Sequence, residues 1–337
     1  MGRRIFGRKR SAKEIGLKIF LVGMLAAVAG FEIFAVLAER ESRRPLPPHF
    51  GNFTRIQDSL EKAEPKEEFS FAVFGDTEGG SPYALLAKKL RQEPVDFAVH
   101  LGDAFDARTY PHFRYMMQKK LAMPFPVFFV QGNQDVKALP LDRFEENFGP
   151  SLFSFVYQNC LFIGLRVQGE GSSTLASQQY LERVLRQAGN SYRRIFVFQH
   201  VPPQVLPNYK FAAPKSFERL FVDFEVDYVF SGHYHGDAHV KKGATAYIVT
   251  GTAGKHLDEN PYGQFQHGLL ITVGQDFVSK KIIPLQVGYR VDDRLQRFAI
   301  VELYPWLLEN RPLAATLNLL LLVVIVGTLK SLLHRNR

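Results

Sequence analysis

Nine side chains able to bind a metal ion or move a proton recur at one kind of place in this 337-residue sequence. Asp76 and Glu78, Asp103 and Asp106, Asn133 and Asp135, His200, and the pair His233 and His235 each stand just after an apolar run. The stretch VFFVQGNQD, residues 127–135, shows the pattern: a core-like run hands over to Gly132, Asn133 and Asp135. Gly, Asn and Asp are turn formers, but the loops at the carboxyl ends of strands are also where open α/β sheets bind ligands. Carboxylates, an amide oxygen and neutral imidazoles together suit borderline and hard divalent ions such as Mn, Fe and Zn. Cys160 is the single cysteine, which argues against a thiolate structural-zinc site and leaves no internal disulfide.

The elements that must position these groups are legible in outline. FSFAVFG from Phe69, VDFAVHLG and PVFFVQG read as buried strands, with helical material between them. YALLAKKLRQ, opening after Ser81-Pro82, carries a helix start signal. RRIFVFQH, VDYVFSGH and AYIVTGTAG are further apolar runs that each end in a polar loop. Alternating strands and helices predict an α/β fold with largely parallel pairing, and strands of one parallel sheet would bring all nine side chains to a common edge. The runs at 152–157 and 160–167, and at 269–273 and 277–284, read as antiparallel additions. His100, inside a strand, reads as a core histidine, and Cys160 as a small buried hydrophobe. The 30 phenylalanines are most simply core. His112, His239 and His267 carry no assignment; His256, near GTAG, is a candidate substrate contact.

GDTE, LGDAFD, GNQD, QH and GHYH, in this order and at these intervals, resemble the signature of the calcineurin-like metallophosphoesterases: D-x-H, GDxxD, GNH[D/E], a lone H, then GHxH. The resemblance covers roughly residues 69–287. It implies a central β-sandwich of mixed sheets flanked by helices, holding two divalent metal ions and a bridging hydroxide. By it, Asp76 and His235 bind the first metal, with Glu78 in the place of the family's histidine. Asp103 bridges the pair, and Asn133, His200 and His233 complete the second. Asp106 and Asp135 are expected supports behind these ligands. The pattern is broken twice. Glu78 adds negative charge that favours a harder ion such as Mn. Gln134 stands where the family has a histidine that assists the leaving group; it can donate a hydrogen bond but supplies no proton, and such assistance is typically worth about 10²–10⁴ in rate.

The formal charge of +9 sits at the two ends. Residues 1–18 are net +6 and residues 329–337 net +3, so the middle is neutral and a nucleic-acid partner loses its main support. Each basic end adjoins a long apolar segment, residues 19–38 and 312–329, of the length needed to span a bilayer. Glu32 is the only charge in the first. The basic flanks place both termini in the cytoplasm, and two spans require the termini to share a side. Tyr304 and Trp306 stand where an interfacial aromatic anchor belongs. Val36-Leu37-Ala38 offers a signal-peptidase-like site, but the apolar run is longer than a usual signal core, which favours an uncleaved anchor.

The expected organisation is therefore a basic tail (1–18), a span (19–38), a linker with a short helix (39–68) and a catalytic domain (69–287). A juxtamembrane segment (288–311), a second span (312–329) and a basic tail (330–337) follow. The domain between the spans would face away from the cytoplasm and hydrolyse phosphate esters or anhydrides, with lipid-linked phosphates among the attractive substrates. The alternative, carried by Glu78 and Gln134, is a phosphoesterase-fold domain that binds a phosphorylated ligand or protein partner at the membrane without turning it over.

Overall fold

Phenylalanines decide how the layers of this protein meet. In the computed structural model, which describes residues 12–77, 81–119, 121, 123–168, 172–206, 213–254, 265–285 and 290–333, the strands form two sheets packed face to face. The first holds β1 (Phe69–Phe74), β2 (Phe97–His100) and β3 (Val127–Phe129) in parallel, with β10 (Gln266–Val273) and β11 (Val278–Leu285) added antiparallel beside β1. The second holds β4 (Phe153–Tyr157), β5 (Cys160–Gly164), β6 (Arg194–Gln199), β7 (Tyr228–Ser231), β8 (Ala238–Lys242) and β9 (Thr245–Val249). There β5, β6, β7 and β9 run parallel, while β4 and β8 pair antiparallel at the edges.

Side chains alternate across each strand, and the sequence places an apolar residue on both faces. Phe69, Phe71 and Val73 of β1 point between the sheets, whereas Ala72 and Phe74 point outward. The inner layer is almost an aromatic lattice. Phe71 stacks on Phe97 at 5.3 Å and meets the rings of Phe162 and Phe196 edge-on at 5.5 and 5.3 Å. Edge-to-face geometry of this kind adds to the burial itself.

Helices cover both outer faces. α3 (Ser81–Leu90), α4 (Tyr110–Lys119) and α6 (Leu141–Phe148) pack on the first sheet, and α7 (Ser172–Ala188) and α8 (Lys215–Asp223) on the second. The short α5 (Asn133–Ala138) follows β3 directly. The order of layers is thus helix, sheet, sheet, helix. The expected convergence on a single sheet's edge takes a different form: β1, β2 and β3 deliver their loops from one sheet, β6 and β7 from the other.

Residues 39–68 contain the expected short helix, α2 (Thr54–Glu61), but part of the stretch is built into the sandwich. Phe50 is fully buried and bridges Val127. Asn52 donates to the Phe129 and Pro150 carbonyls and accepts the Phe129 N–H.

The sandwich belongs to a unit spanning Glu41–Arg294; the described residues before and after it form a second, helical unit. In that unit α1 (Ala12–Ser42) and α11 (Arg311–Leu333) are long and apolar, and by length and composition both qualify to cross a bilayer. Lys18 Nζ donates to Ser331 Oγ at 2.8 Å, which ties the start of one apolar helix to the end of the other. α9 (Val291–Phe298), a π-helical turn (Ala299–Leu303) and α10 (Tyr304–Glu309) precede α11.

Candidate metal centre

The loops leaving β1, β2, β3, β6 and β7 turn sharply as soon as the strands end. Asp76, Asp103, His233 and His235 take φ of 52°, 53°, 64° and 56°, the left-handed region that costs a non-glycine residue free energy. Gly102 and Gly132 allow the close approach these turns need. A Cβ on Gly132 would lie 2.3 Å from both the amide nitrogen and Oδ1 of Asp103, and one on Gly102, itself at φ 94°, would lie 2.6 Å from the Gly132 nitrogen. Two loops from adjacent strands therefore touch backbone to backbone, with Asp103 between them.

His200 is the pivot. It is fully buried, and its Nδ1–H donates to the Leu101 carbonyl at 2.8 Å. A carbonyl can only accept, so in the neutral ring Nε2 is left with its lone pair. That lone pair faces Asn133 Oδ1 at 2.9 Å, His233 Nδ1 at 3.2 Å and Asp103 Oδ1 at 3.4 Å. Ligand atoms of Asp103, His200 and His233 all lie within 4.8 Å of one another. With His200 neutral, Asn133 Oδ1 and Asp103 Oδ1 face its lone pair with no proton between them, an arrangement that a divalent ion held by an amide oxygen, a carboxylate and two imidazoles would satisfy.

A second group of donors lies beside the first. His235 Nε2 is 3.2 Å from Asp76 Oδ1, and Asp76 Oδ2 accepts the His233 backbone N–H at 3.0 Å. Burial pushes the Asp76 carboxyl up, but the hydrogen bond and charge of His235, with His200 and His233 nearby, outweigh it and hold the group well below the usual range. Glu78 lies outside the described residues, as does His256.

Asp135 braces the floor. Its carboxylate accepts backbone N–H groups of Asp103, Ala104, Phe105 and Gly132 at 2.8–3.2 Å. Burial and the adjacent Asp103 carboxylate push Asp135 up to about 7, against those N–H bonds and the His200 charge. A cation on Asp103 would remove the repulsion and favour the ionised form. Asp106 instead serves its own loop: Oδ1 accepts the Arg108 and Thr109 N–H groups, and its N–H donates to Thr109 Oγ1. The Gln134 N–H donates to Asp103 Oδ1 at 2.8 Å, while its side-chain Oε1 accepts from Lys137 Nζ at 3.3 Å.

Of the remaining histidines, His100 is fully buried within β2 and links two of the loops. Its Nδ1 accepts the Gly102 N–H, and its Nε2–H donates to Thr77 Oγ1. Burial holds its pKa down, to about 3. His112 is buried 3.8 Å from Asp293, His239 is exposed on edge strand β8, and His267 accepts the Gly251 N–H. Sequence reading overlooked Thr252, whose hydroxyl donates to the Asp76 carbonyl at 2.6 Å and accepts the Gly254 N–H. GTAG itself was the available signal. The Leu101 carbonyl that orients His200 had none, because a backbone group leaves no trace in residue type.

Comparisons with known proteins bear on the family and the fold. The calcineurin-like phosphoesterase family model matches residues 69–237. The serine/threonine-protein phosphatase CPPED1 of Bos taurus is 30% identical over 167 residues, 44% of this chain and 52% of its own. The protein of the same name from Danio rerio is 29% identical over 201 residues, 52% of this chain and 65% of its own. The chain thus spans between half and just under two thirds of these curated relatives. Among solved structures, GAP50, described as the anchor in the inner membrane complex of Plasmodium, superposes with a TM-score of 0.54 at 17% identity, covering 70% of this chain and 95% of that one. Purple acid phosphatase PPD1 from yellow lupin (Lupinus luteus) gives 0.51 at 15% identity, covering 67% and 53%. At these identities the structural likeness speaks for the fold.

Proposed function

The chain belongs to the calcineurin-like phosphoesterase family, and on that footing we propose that it is a membrane-tethered, metal-dependent hydrolase of phosphate esters or anhydrides. The observation that carries this reading is the aim of the His200 Nε2 lone pair at Asn133, Asp103 and His233. Asp103, Asn133, His200 and His233 would hold one divalent ion, and Asp76, His235, Asp103 and Glu78 a second of Mn, Fe or Zn character. Bound there, such ions supply charge neutralisation at a phosphoryl group and a nucleophile from water at neutral pH.

The protein's own residues do the rest. The Leu101 carbonyl keeps the His200 proton on Nδ1, away from the site. Asp135 fixes the backbone on which Asp103 sits, and the Gln134 N–H orients its carboxylate. Lys137 engages the Gln134 side-chain oxygen, which leaves the amide N–H groups to donate to a phosphoryl oxygen. They stabilise developing charge but cannot protonate a leaving group.

Support for tethering comes from the two apolar helices, and their basic flanks would put both termini in the cytoplasm and the domain on the other side. A domain held to a bilayer at both ends favours lipid-linked phosphates; the phosphoprotein activity in the names of the curated relatives is the competing substrate class. Gln134 supports a second reading, in which the fold binds a phosphorylated ligand without turnover.

The test is hydrolysis of aryl phosphate mono- and diesters by the purified full chain with added Mn. Wild type should turn over, and Asp103→Asn should lose more than about a hundredfold, beyond the 10–100-fold typical of losing a group behind a ligand. Metal binding without turnover in the wild type would favour the binding module, and unchanged turnover in Asp103→Asn would remove the assigned site.

A further inference from the structure

The helical unit carries a groove that phosphoester chemistry does not use. Phe298, Val301, Pro305 and Trp306 line a cavity of about 460 Å³, together with the carboxylates Glu302, in the turn before α10, and Glu309, at the end of α10. That volume suits a small-molecule headgroup with part of a chain. The π-helical turn Ala299–Leu303 and Pro305 at the start of α10 interrupt the regular helix here, as such turns often do at functional sites. Glu302, Trp306 and Glu309 are spaced four and three residues apart, which puts them on one helical face.

The apolar lining points outward: Phe298 is 51% and Trp306 38% exposed. The surroundings identify what covers it. Phe298 stacks on Phe31 at 6.1 Å, and Phe31 lies within the apolar run of α1. Downstream, α11 begins at Arg311, two residues after Glu309. The groove is thus attached at both sides to segments apolar enough to span a bilayer. Apolar lining favours an acyl chain. Two carboxylates flanking an indole favour a cation, since ammonium groups are attracted to an aromatic face, and they repel an anionic headgroup.

We propose that this groove binds a bilayer phospholipid with an ammonium headgroup, its amine between Glu302, Trp306 and Glu309 and its proximal acyl chain against Phe298 and Val301. The assignment rests on the reading of α1 and α11 as membrane spans. It gives the tether a lipid preference independent of the phosphoesterase site.

Trp306 is the only tryptophan, so tryptophan fluorescence reports on the groove alone. The full chain is reconstituted into vesicles containing phosphatidylethanolamine and phosphatidylglycerol, with the acyl-chain bromine carried by one lipid or the other at equal mole fraction. Quenching by the brominated ethanolamine lipid should exceed that by the brominated glycerol lipid roughly two- to fivefold, the range expected of one exposed cation–aromatic contact. The double variant Glu302→Gln, Glu309→Gln should bring the two to parity while hydrolysis of a soluble aryl phosphate is unchanged. Equal quenching in the wild type overturns the proposal, as does a tryptophan quenched only from the aqueous side in a chain that co-floats with the vesicles. A chain that fails to co-float overturns the span reading and this proposal with it, whereas the first two outcomes leave the spans intact.

Discussion

Asp76, Asp103, His233 and His235 hold left-handed backbone, a conformation worth keeping only where the surrounding structure enforces it. Asparagine tolerates this region better than most residues, so Asp103→Asn changes the charge without disturbing the turn. Gln134 is the residue that most separates this site from its family's pattern. Without a proton to give, the site should discriminate steeply by leaving group, hydrolysing aryl esters well and alkyl esters poorly. Gln134→His should raise kcat for an alkyl phosphate by up to about 10²–10⁴, the usual range for general acid assistance, with a much smaller gain for a nitrophenyl ester. Equal effects on both substrates would place Gln134 away from the leaving group.

At the scale of elements, the site is an agreement between strand ends. His100 joins two of them, through Gly102 on one side and Thr77 on the other, and burial keeps its ring neutral, with a pKa of about 3. An unfolded chain protonates this ring near its ordinary pKa of 6.5. The folded state therefore binds fewer protons below that pH, and stability present above about 6.5 is lost as pH falls toward 3. Denaturation midpoints of wild type should drop between pH 7 and 5, and His100→Gln should flatten that slope by about 1 kcal/mol per pH unit; parallel slopes would contradict the assignment. The strands and the polar side chains at their ends were legible because each couples an apolar run to a polar turn. The division into two sheets was not, since β6 and β1 carry the same kind of apolar run and only pairing distinguishes them. Asp135 and Asp106 were both expected as supports; Asp135 binds mainly the Asp103–Phe105 backbone, while Asp106, with the same residue type and a similar place, closes its own turn through Thr109. Residue type and position do not say which way a loop carboxylate points.

For the molecule as a whole, the Lys18–Ser331 bond brings together residues at the outer ends of α1 and α11, in keeping with termini that share one side of a bilayer. Cys160 is buried, and Cys160→Ser leaves a background for accessibility labelling. Cysteines introduced at Ser11 and Asn336 should both react only with a reagent admitted to the cytoplasmic side, and one at Asp276 only with a reagent on the other side; any other pattern rejects the topology. The groups gathered around Asp103 and His200 are expected to seat metal. Mn titration of the purified full chain, followed by electron paramagnetic resonance, reads this out. A magnetically coupled Mn pair is predicted at micromolar Mn, as expected for ions about 3.5–4 Å apart, with the coupling abolished by Asp103→Asn. No binding at that concentration, or a coupled pair that survives Asp103→Asn, would mean that these residues do not form a dinuclear site.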